Sequence, residues 1–136
     1  MKLNERFAWA ASVLNGKPTD HFLEIGCGSG ILAEQIAIQL TSGTITAIDK
    51  SKAMIKMAYK RNIRFIETGR AIFIIGDFAK SQLGQSFDKI FGFNVNVFWK
   101  NPSRELELIK RYLKPKGHLY IFYQAPYDID MKATNQ

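Results

Sequence analysis

The stretch Leu23-Glu24-Ile25-Gly26-Cys27-Gly28-Ser29-Gly30 decides the fold. The apolar run His21–Ile25 reads as a buried strand, and it breaks into a turn with glycines at three alternate positions. Glycine lets the backbone reverse sharply and approach a ligand with no Cβ in the way. The residues that follow, Ile31–Leu40, carry Leu32, Ile36 and Leu40 at helical spacing, so free backbone N–H groups open the helix after the turn. Strand, glycine turn and helix form the opening unit of an α/β sheet. The dinucleotide fingerprint G-x-G-x-x-G needs its third glycine where this chain has Ile31, and Gly30 falls one residue early. That spacing disfavours NAD or FAD, which leaves an NAD(P)-linked oxidoreductase as a second alternative.

The same alternation runs outward from this unit. Thr44–Ile48 is a β-branched run that ends at Asp49, and Ser51 is placed to cap a helix whose Ala53, Met54, Met57 and Ala58 share one face. Ala71–Ile75 and Lys89–Phe93 read as buried strands. Asn101-Pro102 starts a helix that turns Leu106, Ile109 and Leu113 inward and stops at Lys114-Pro115-Lys116-Gly117, before a last strand, His118–Tyr123. A helix around Glu5–Leu14 leads the chain. Five apolar strands joined by helical crossovers predict an α/β, doubly wound, mostly parallel sheet with helices on both faces, in one domain over residues 1–136. Such sheets bind ligands outside the carboxyl ends of their strands, here Gly26–Gly30, Asp49, Gly76–Phe78 and Asn94–Val97.

Composition excludes several classes. A chain of 136 residues with 46% hydrophobic and 23% charged residues suits one globular domain and not a disordered segment. No apolar run approaches the roughly 18–20 residues that cross a bilayer, and the N-terminus lacks a secretory signal pattern, so a soluble, cytoplasmic domain with no membrane partner is expected. The single cysteine, Cys27, cannot form an internal disulfide framework or a multi-cysteine zinc site, and no metal is expected. The net charge of +7 sits almost wholly between Lys50 and Arg70, where seven basic residues face one acid, Glu67. Lys52, Lys56, Lys60 and Arg64 recur every four residues. A solvated helix face, the usual meaning of such a charge run, is favoured over a binding site for RNA or a phosphorylated substrate; the four-residue stripe itself carries no aromatic residue as a stacking platform requires.

Two carboxylates extend the candidate site. Asp49 lies about twenty residues after the glycine turn, where an acid in nucleoside-binding sheets accepts hydrogen bonds from both ribose hydroxyls; the alternative is a helix cap. Asp77, in Ile75-Gly76-Asp77-Phe78, could accept from an exocyclic amine while Phe78 offers apolar contact to a base; taken alone, Asp77 reads as a turn residue. With these residues assembled, the chain resembles the class I S-adenosylmethionine-dependent methyltransferases from about Phe22 to Tyr123. Leu23–Gly30 is similar to the family's first motif, Ala47-Ile48-Asp49-Lys50-Ser51 with Met54 to its ribose-binding element, and Gly76-Asp77-Phe78 to its adenine-binding element. Phe87-Asp88-Lys89-Ile90-Phe91 resembles the opening of the fourth strand, and Leu113–Leu119 the turn before the fifth, with Lys116 in place of a glycine.

The resemblance implies S-adenosyl-L-methionine as cofactor, S-adenosyl-L-homocysteine as product, and a role for each matched residue. The backbone of Gly26, Cys27, Gly28 and Gly30 would hold the methionine portion, with Cys27 a small filler and Glu24 acting near the turn through water or by fixing the loop. Asp49 would bind the ribose hydroxyls, and Lys50 and Met54 would flank the adenine. Asp77 would accept from the adenine amine, Phe78 would offer a backbone N–H to the ring, and Asn94 would face the methionine amine. A sulfonium carries an activated methyl group, so the protein mainly aligns a nucleophile in line with the carbon–sulfur bond.

No catalytic base is assigned. His21 and His118 open the first and fifth strands, at the end of the sheet opposite the expected site. Asn94-Val95-Asn96-Val97-Phe98-Trp99 lacks the Asn/Asp-Pro-Pro-Tyr/Phe sequence of methyltransferases that act on nucleic acid bases, so a small-molecule acceptor is favoured over nucleic acid. Phe98 and Trp99 either line an acceptor pocket or pack beneath the next helix. Family members usually continue past the fifth strand with a helix and an antiparallel strand pair, and this chain is expected to lack that strand pair. His118–Tyr123 would then be an exposed apolar edge, predicting self-association or a fragment of a longer protein. A non-catalytic module that binds S-adenosylmethionine is the first alternative.

Overall fold

The structure, a computed structural model, describes residues 2–93 and 102–123. Its elements are α1 (Leu3–Leu14), β1 (His21–Ile25), α2 (Ile31–Ala37), β2 (Thr44–Asp49), α3 (Lys52–Arg61), α4 (Ile63–Glu67), β3 (Ala71–Ile75), a 3-10 turn (Phe78–Lys80), β4 (Phe87–Phe93), α5 (Pro102–Tyr112) and β5 (Leu113–Phe122). The five strands form one sheet in the order β3-β2-β1-β4-β5, and every neighbouring pair is parallel. The doubly wound α/β fold expected from the sequence is present. β1 lies at the centre, and the order of strands reverses between β1 and β4, so the switch point opens beside the Gly26–Gly30 turn.

Period-two alternation divides the core between two faces. Phe22, Ile45 and Phe91 pack with Ala10 and Leu14 of α1, Leu32 and Ile36 of α2, and Phe65 of α4. Leu23, Ile25, Ile48 and Ile90 point the other way, onto Phe78, Phe87 and Ile109 of α5. Cys27 and Ala47 meet Ile55 of α3. In register, Glu24 of β1 stands between Ala47 of β2 and Phe91 of β4.

Several local expectations are corrected. α3 buries Ile55 and Ala58, and Asn62 just beyond it, while Ala53 and Met57 are exposed. The face is set by close contact with the glycine turn, which an alanine and an asparagine satisfy and a methionine would not. α5 buries Glu105 and Ile109, leaves Leu106 exposed, and ends before Leu113, which already belongs to β5. Tyr112 fixes that rotation: its ring packs on Phe78 and Phe87, and its hydroxyl donates to the Ser81 carbonyl at 3.0 Å and accepts from Leu83 N–H at 3.1 Å. α2 stops at Ala37, short of the buried Leu40. The basic stripe is interrupted at Asn62, so Lys52, Lys56 and Lys60 stay on α3 while Arg64, on α4, lies 4.5 Å over the Phe65 ring. β5 takes in the expected turn at residues 114–117 as an irregularity; Phe87 faces Leu113, Lys89 faces His118, and the regular ladder runs from there.

Candidate functional site

The turn after β1 is built on β2. Gly26 N–H donates to the Ile48 carbonyl at 2.8 Å, and Cys27 N–H to the same oxygen at 3.2 Å. Gly26, Gly28 and Gly30 have φ of 76°, 55° and 80°, the left-handed region that glycine enters without penalty. Gly30 and Gly28 need glycine for different reasons. A Cβ on Gly30 would stand 2.8 Å from both Ala58 Cβ and Asn62 Nδ2, whereas around Gly28 nothing lies within 4 Å. Gly30 is therefore a packing position, and Gly28 leaves an open cradle. The fully buried Asn62 locks the turn to α3 by donating to the Gly30 carbonyl at 3.2 Å and the Ala58 carbonyl at 3.0 Å.

Asp49, the last residue of β2, closes this arrangement. Its Oδ2 accepts from Gly28 N–H at 2.8 Å and its Oδ1 from Ser51 N–H at 2.9 Å. Ser51 in turn caps α3 through a bond from Met54 N–H at 3.2 Å. Each carboxylate oxygen has two lone pairs, so Asp49 keeps acceptor capacity beyond these two backbone bonds.

Beside the turn is a cavity of about 230 Å³, walled by Arg6 and Phe7 of α1, Glu24 of β1, Gly26–Ser29, Ile31 and Phe93 of β4. Glu24 is 4% exposed, and its Oε1 has no hydrogen-bond partner. Burial, and secondarily the Asp49 carboxylate, push its carboxyl up to about 8, so it is mostly neutral at pH 7. Burial, then Glu24 and Asp49, push the Cys27 thiol upward as well, which keeps it a neutral packing group and not a nucleophile. The Arg6 guanidinium lies 4.8 Å over the Phe7 ring and 5.2 Å over that of Phe93. Arg6, Phe7 and Phe93 escape sequence reasoning, because no motif links the leading helix to the turn and only the docking of α1 brings them there.

The remaining sequence candidates are placed unevenly. Lys50 is exposed at the end of β2, and Met54 is half-buried in the first turn of α3. Asp77 caps the 3-10 turn, accepting from Ala79 N–H at 3.0 Å, so its turn role is realised. The expected apolar contact between Phe78 and a base is corrected: the ring is 3% exposed and belongs to the core beside Tyr112, because it fills the space between the sheet and α5. Asn94, with the whole of residues 94–101, lies outside the described residues. His21 Nδ1 stands 2.8 Å from Thr44 Oγ1 at the amino end of the sheet, where His118 also enters the β5 ladder. Among the described residues no cluster of three or more His, Cys, Asp or Glu could hold a metal, and no helix is long and apolar enough to cross a membrane.

Comparison with known proteins follows the same geometry. A family profile described as a methyltransferase domain matches residues 23–121, which run from the middle of β1 to the last residues of β5. A malonyl-[acyl-carrier protein] O-methyltransferase from Priestia megaterium is 32% identical, over 71% of this chain and 34% of its own length. The mitochondrial ubiquinone biosynthesis O-methyltransferase of Schizosaccharomyces pombe is 33% identical, over 73% of this chain and 36% of its own. Among solved structures, the plantazolicin methyltransferase BpumL, in complex with a pentazolic desmethylPZN analogue and SAH, superposes with a TM-score of 0.76 at 29% identity. That superposition covers 99% of this chain and 53% of BpumL. The chain thus spans about a third of the length of the two curated relatives.

Proposed function

This chain belongs to the methyltransferase-domain family, and from that premise we propose that it binds S-adenosyl-L-methionine at the carboxyl ends of β1, β2 and β3 and directs its methyl group to a small-molecule nucleophile. The observation that carries this reading is the cavity beside the glycine turn, where a buried acid, a guanidinium and bare backbone meet. Two features of the chain fit that cofactor. Glu24 Oε1 is a buried acceptor without a partner, suited to a cationic amino-acid end. The cradle at Gly28 has room that any Cβ would take.

When bound, the cofactor would supply a methyl group already activated on a sulfonium. The chain supplies orientation. Gly26–Gly30 and Glu24 receive the methionine portion, with Arg6 as counter-charge to its carboxylate. Asp49 uses its remaining lone pairs for the ribose hydroxyls, and Met54 and Lys50 flank the base. Asp77 accepts from the base's amine, and the Phe78 contribution is reduced to its backbone N–H. Asn94 completes the roster, on the methionine amine. No side chain is assigned as a general base.

We take the chain to be one cytoplasmic domain acting on a small molecule, with nucleic acid less favoured and association through the edge strand β5 as its route to self-contact. Ile121 on that strand and Tyr123 just beyond it are 46% and 68% exposed. Oxygen nucleophiles are the first acceptors to test, because both curated relatives are named O-methyltransferases. The test is release of S-adenosylhomocysteine, followed by mass spectrometry, when the chain meets S-adenosylmethionine and panels of carboxylic acids, thioester-linked acids and phenols. Acceptor-dependent product supports the reading. Tight cofactor binding with no turnover on any panel supports the non-catalytic module instead.

A further inference from the structure

We propose that filling the site expels one proton from Glu24, so that this carboxyl sets how cofactor occupancy depends on pH. The inference rests on the methyltransferase reading of the same cavity and adds to it a coupling that the family match does not contain.

The geometry leaves Glu24 little choice. β1 is the central strand, paired on both sides, and its residue 24 projects onto the α1 side of the sheet, where the cavity opens. The side chain is 4% exposed and Oε1 has no hydrogen-bond donor, so a negative charge there would be desolvated without a bond to replace its water. The ionisable surroundings reinforce the neutral form. From β2, Asp49 contributes a second carboxylate; from the turn, Cys27 contributes only a neutral thiol. α1 brings Arg6, whose guanidinium is engaged with the Phe7 and Phe93 rings. β4 contributes Phe93 to the wall and α2 contributes Ile31, and neither titrates. Glu24 is therefore a carboxylic acid before any ligand binds, with the group pushed up to about 8.

A cationic ligand reverses this balance. An ammonium or sulfonium entering the cavity supplies the missing counter-charge, and whatever free energy it gains from the carboxylate lowers the proton affinity of Glu24 by the same amount. The Glu24 O–H bond breaks, its proton passes to buffer, and the charge of the cation is neutralised in place. Between about pH 5.5 and 7.5, affinity then rises by up to roughly tenfold per pH unit, and it flattens near the pKa that Glu24 has without ligand. The ligand's own α-amino group, which titrates at about 7.7–8.0 in model compounds, acts in the opposite sense only above that window.

The experiment is calorimetric titration of the full chain with S-adenosylhomocysteine at pH 6.5–7.0, in buffers of different ionisation enthalpy. The slope of observed heat against buffer enthalpy counts protons released, and the expected value approaches one per ligand bound. Glu24→Gln matches the neutral acid in shape and charge; it should bind with a slope near zero and an affinity flat from pH 5.5 to 7.5. Wild-type binding with no proton release overturns the proposal, as does an unchanged slope in Glu24→Gln. Should that variant fail to fold, the wild-type slope and its pH profile decide the question alone. No binding by a folded wild-type chain defeats the methyltransferase reading, and this coupling falls with it.

Discussion

Asp49 Oδ2 accepts the Gly28 backbone N–H at 2.8 Å, so the carboxylate that ends β2 also clamps the turn that follows β1. With Oδ1 bonded to Ser51 N–H at the start of α3, one side chain fixes the relation of two strands and a helix at the switch point of the sheet. The two readings open at Asp49, ribose acceptor and local cap, are therefore compatible. Backbone bonds orient the carboxylate, and its remaining lone pairs stay open to the proposed ribose contact.

Asp49→Ala removes both contributions. Its affinity for S-adenosylhomocysteine should fall by about 1.5–3 kcal/mol, roughly 10- to 150-fold, as expected for loss of charged hydrogen bonds. Calorimetric titration of the two proteins measures this. Equal affinities would remove Asp49 from the site.

Gly28→Ala and Gly30→Ala should separate binding from folding. At Gly30, a φ of 80° combines with collisions at 2.8 Å, so the substitution should destabilise the chain by about 2–4 kcal/mol in urea unfolding. At Gly28 only the φ of 55° disfavours a Cβ, with open space around it, so about 1 kcal/mol of stability is lost while the new methyl group fills the cradle. Gly28→Ala should thus lose ligand affinity out of proportion to its stability, and a thermal melt paired with a titration tests this.

Glu24 gives stability a defined pH dependence. Its carboxyl is raised from 4.5 to about 8 in the fold, so the folded chain binds one more proton than the unfolded chain between those values. Stability from this group is fully present below pH 4.5 and declines as pH rises to about 8, by an amount on the order of a few kcal/mol. Unfolding of wild type and Glu24→Gln at pH 5, 6.5 and 8 isolates the effect. The difference in stability should move in the variant's favour as pH rises, and a constant difference would contradict the assignment.

Tyr112→Phe is the control on the opposite face of the sheet. It removes the bonds to Leu83 N–H and the Ser81 carbonyl, and should lower stability by about 1–2 kcal/mol without changing ligand affinity. A large loss of binding would mean that the loop after Asp77 depends on α5 for its shape.

The strands and the glycine turn were legible in the sequence because continuous apolar runs and alternate glycines carry one physical meaning each. β1 and β3 occupy the residues expected of them. Helix rotation was less legible. Met57 and Leu106 look like core residues, yet the buried face of α3 is decided by the contact of Ala58 with Gly30, and that of α5 by Tyr112 against Phe78 and Phe87. Hydrophobicity alone does not encode such partners. The candidate site was legible where it follows strand ends, at Gly28 and Asp49. Arg6 in the cavity wall was not legible, because that residue reaches the cavity from a helix far from any motif.

The central claim is that the cavity beside Gly28 takes an S-adenosyl ligand, and the equilibrium titration of the folded chain with S-adenosylhomocysteine at pH 7 tests it most directly. Saturable binding at one site in the micromolar range, with none for NADH under the same conditions, is the predicted result. A chain shown by circular dichroism to be folded, yet giving no binding at millimolar S-adenosylhomocysteine, would contradict it.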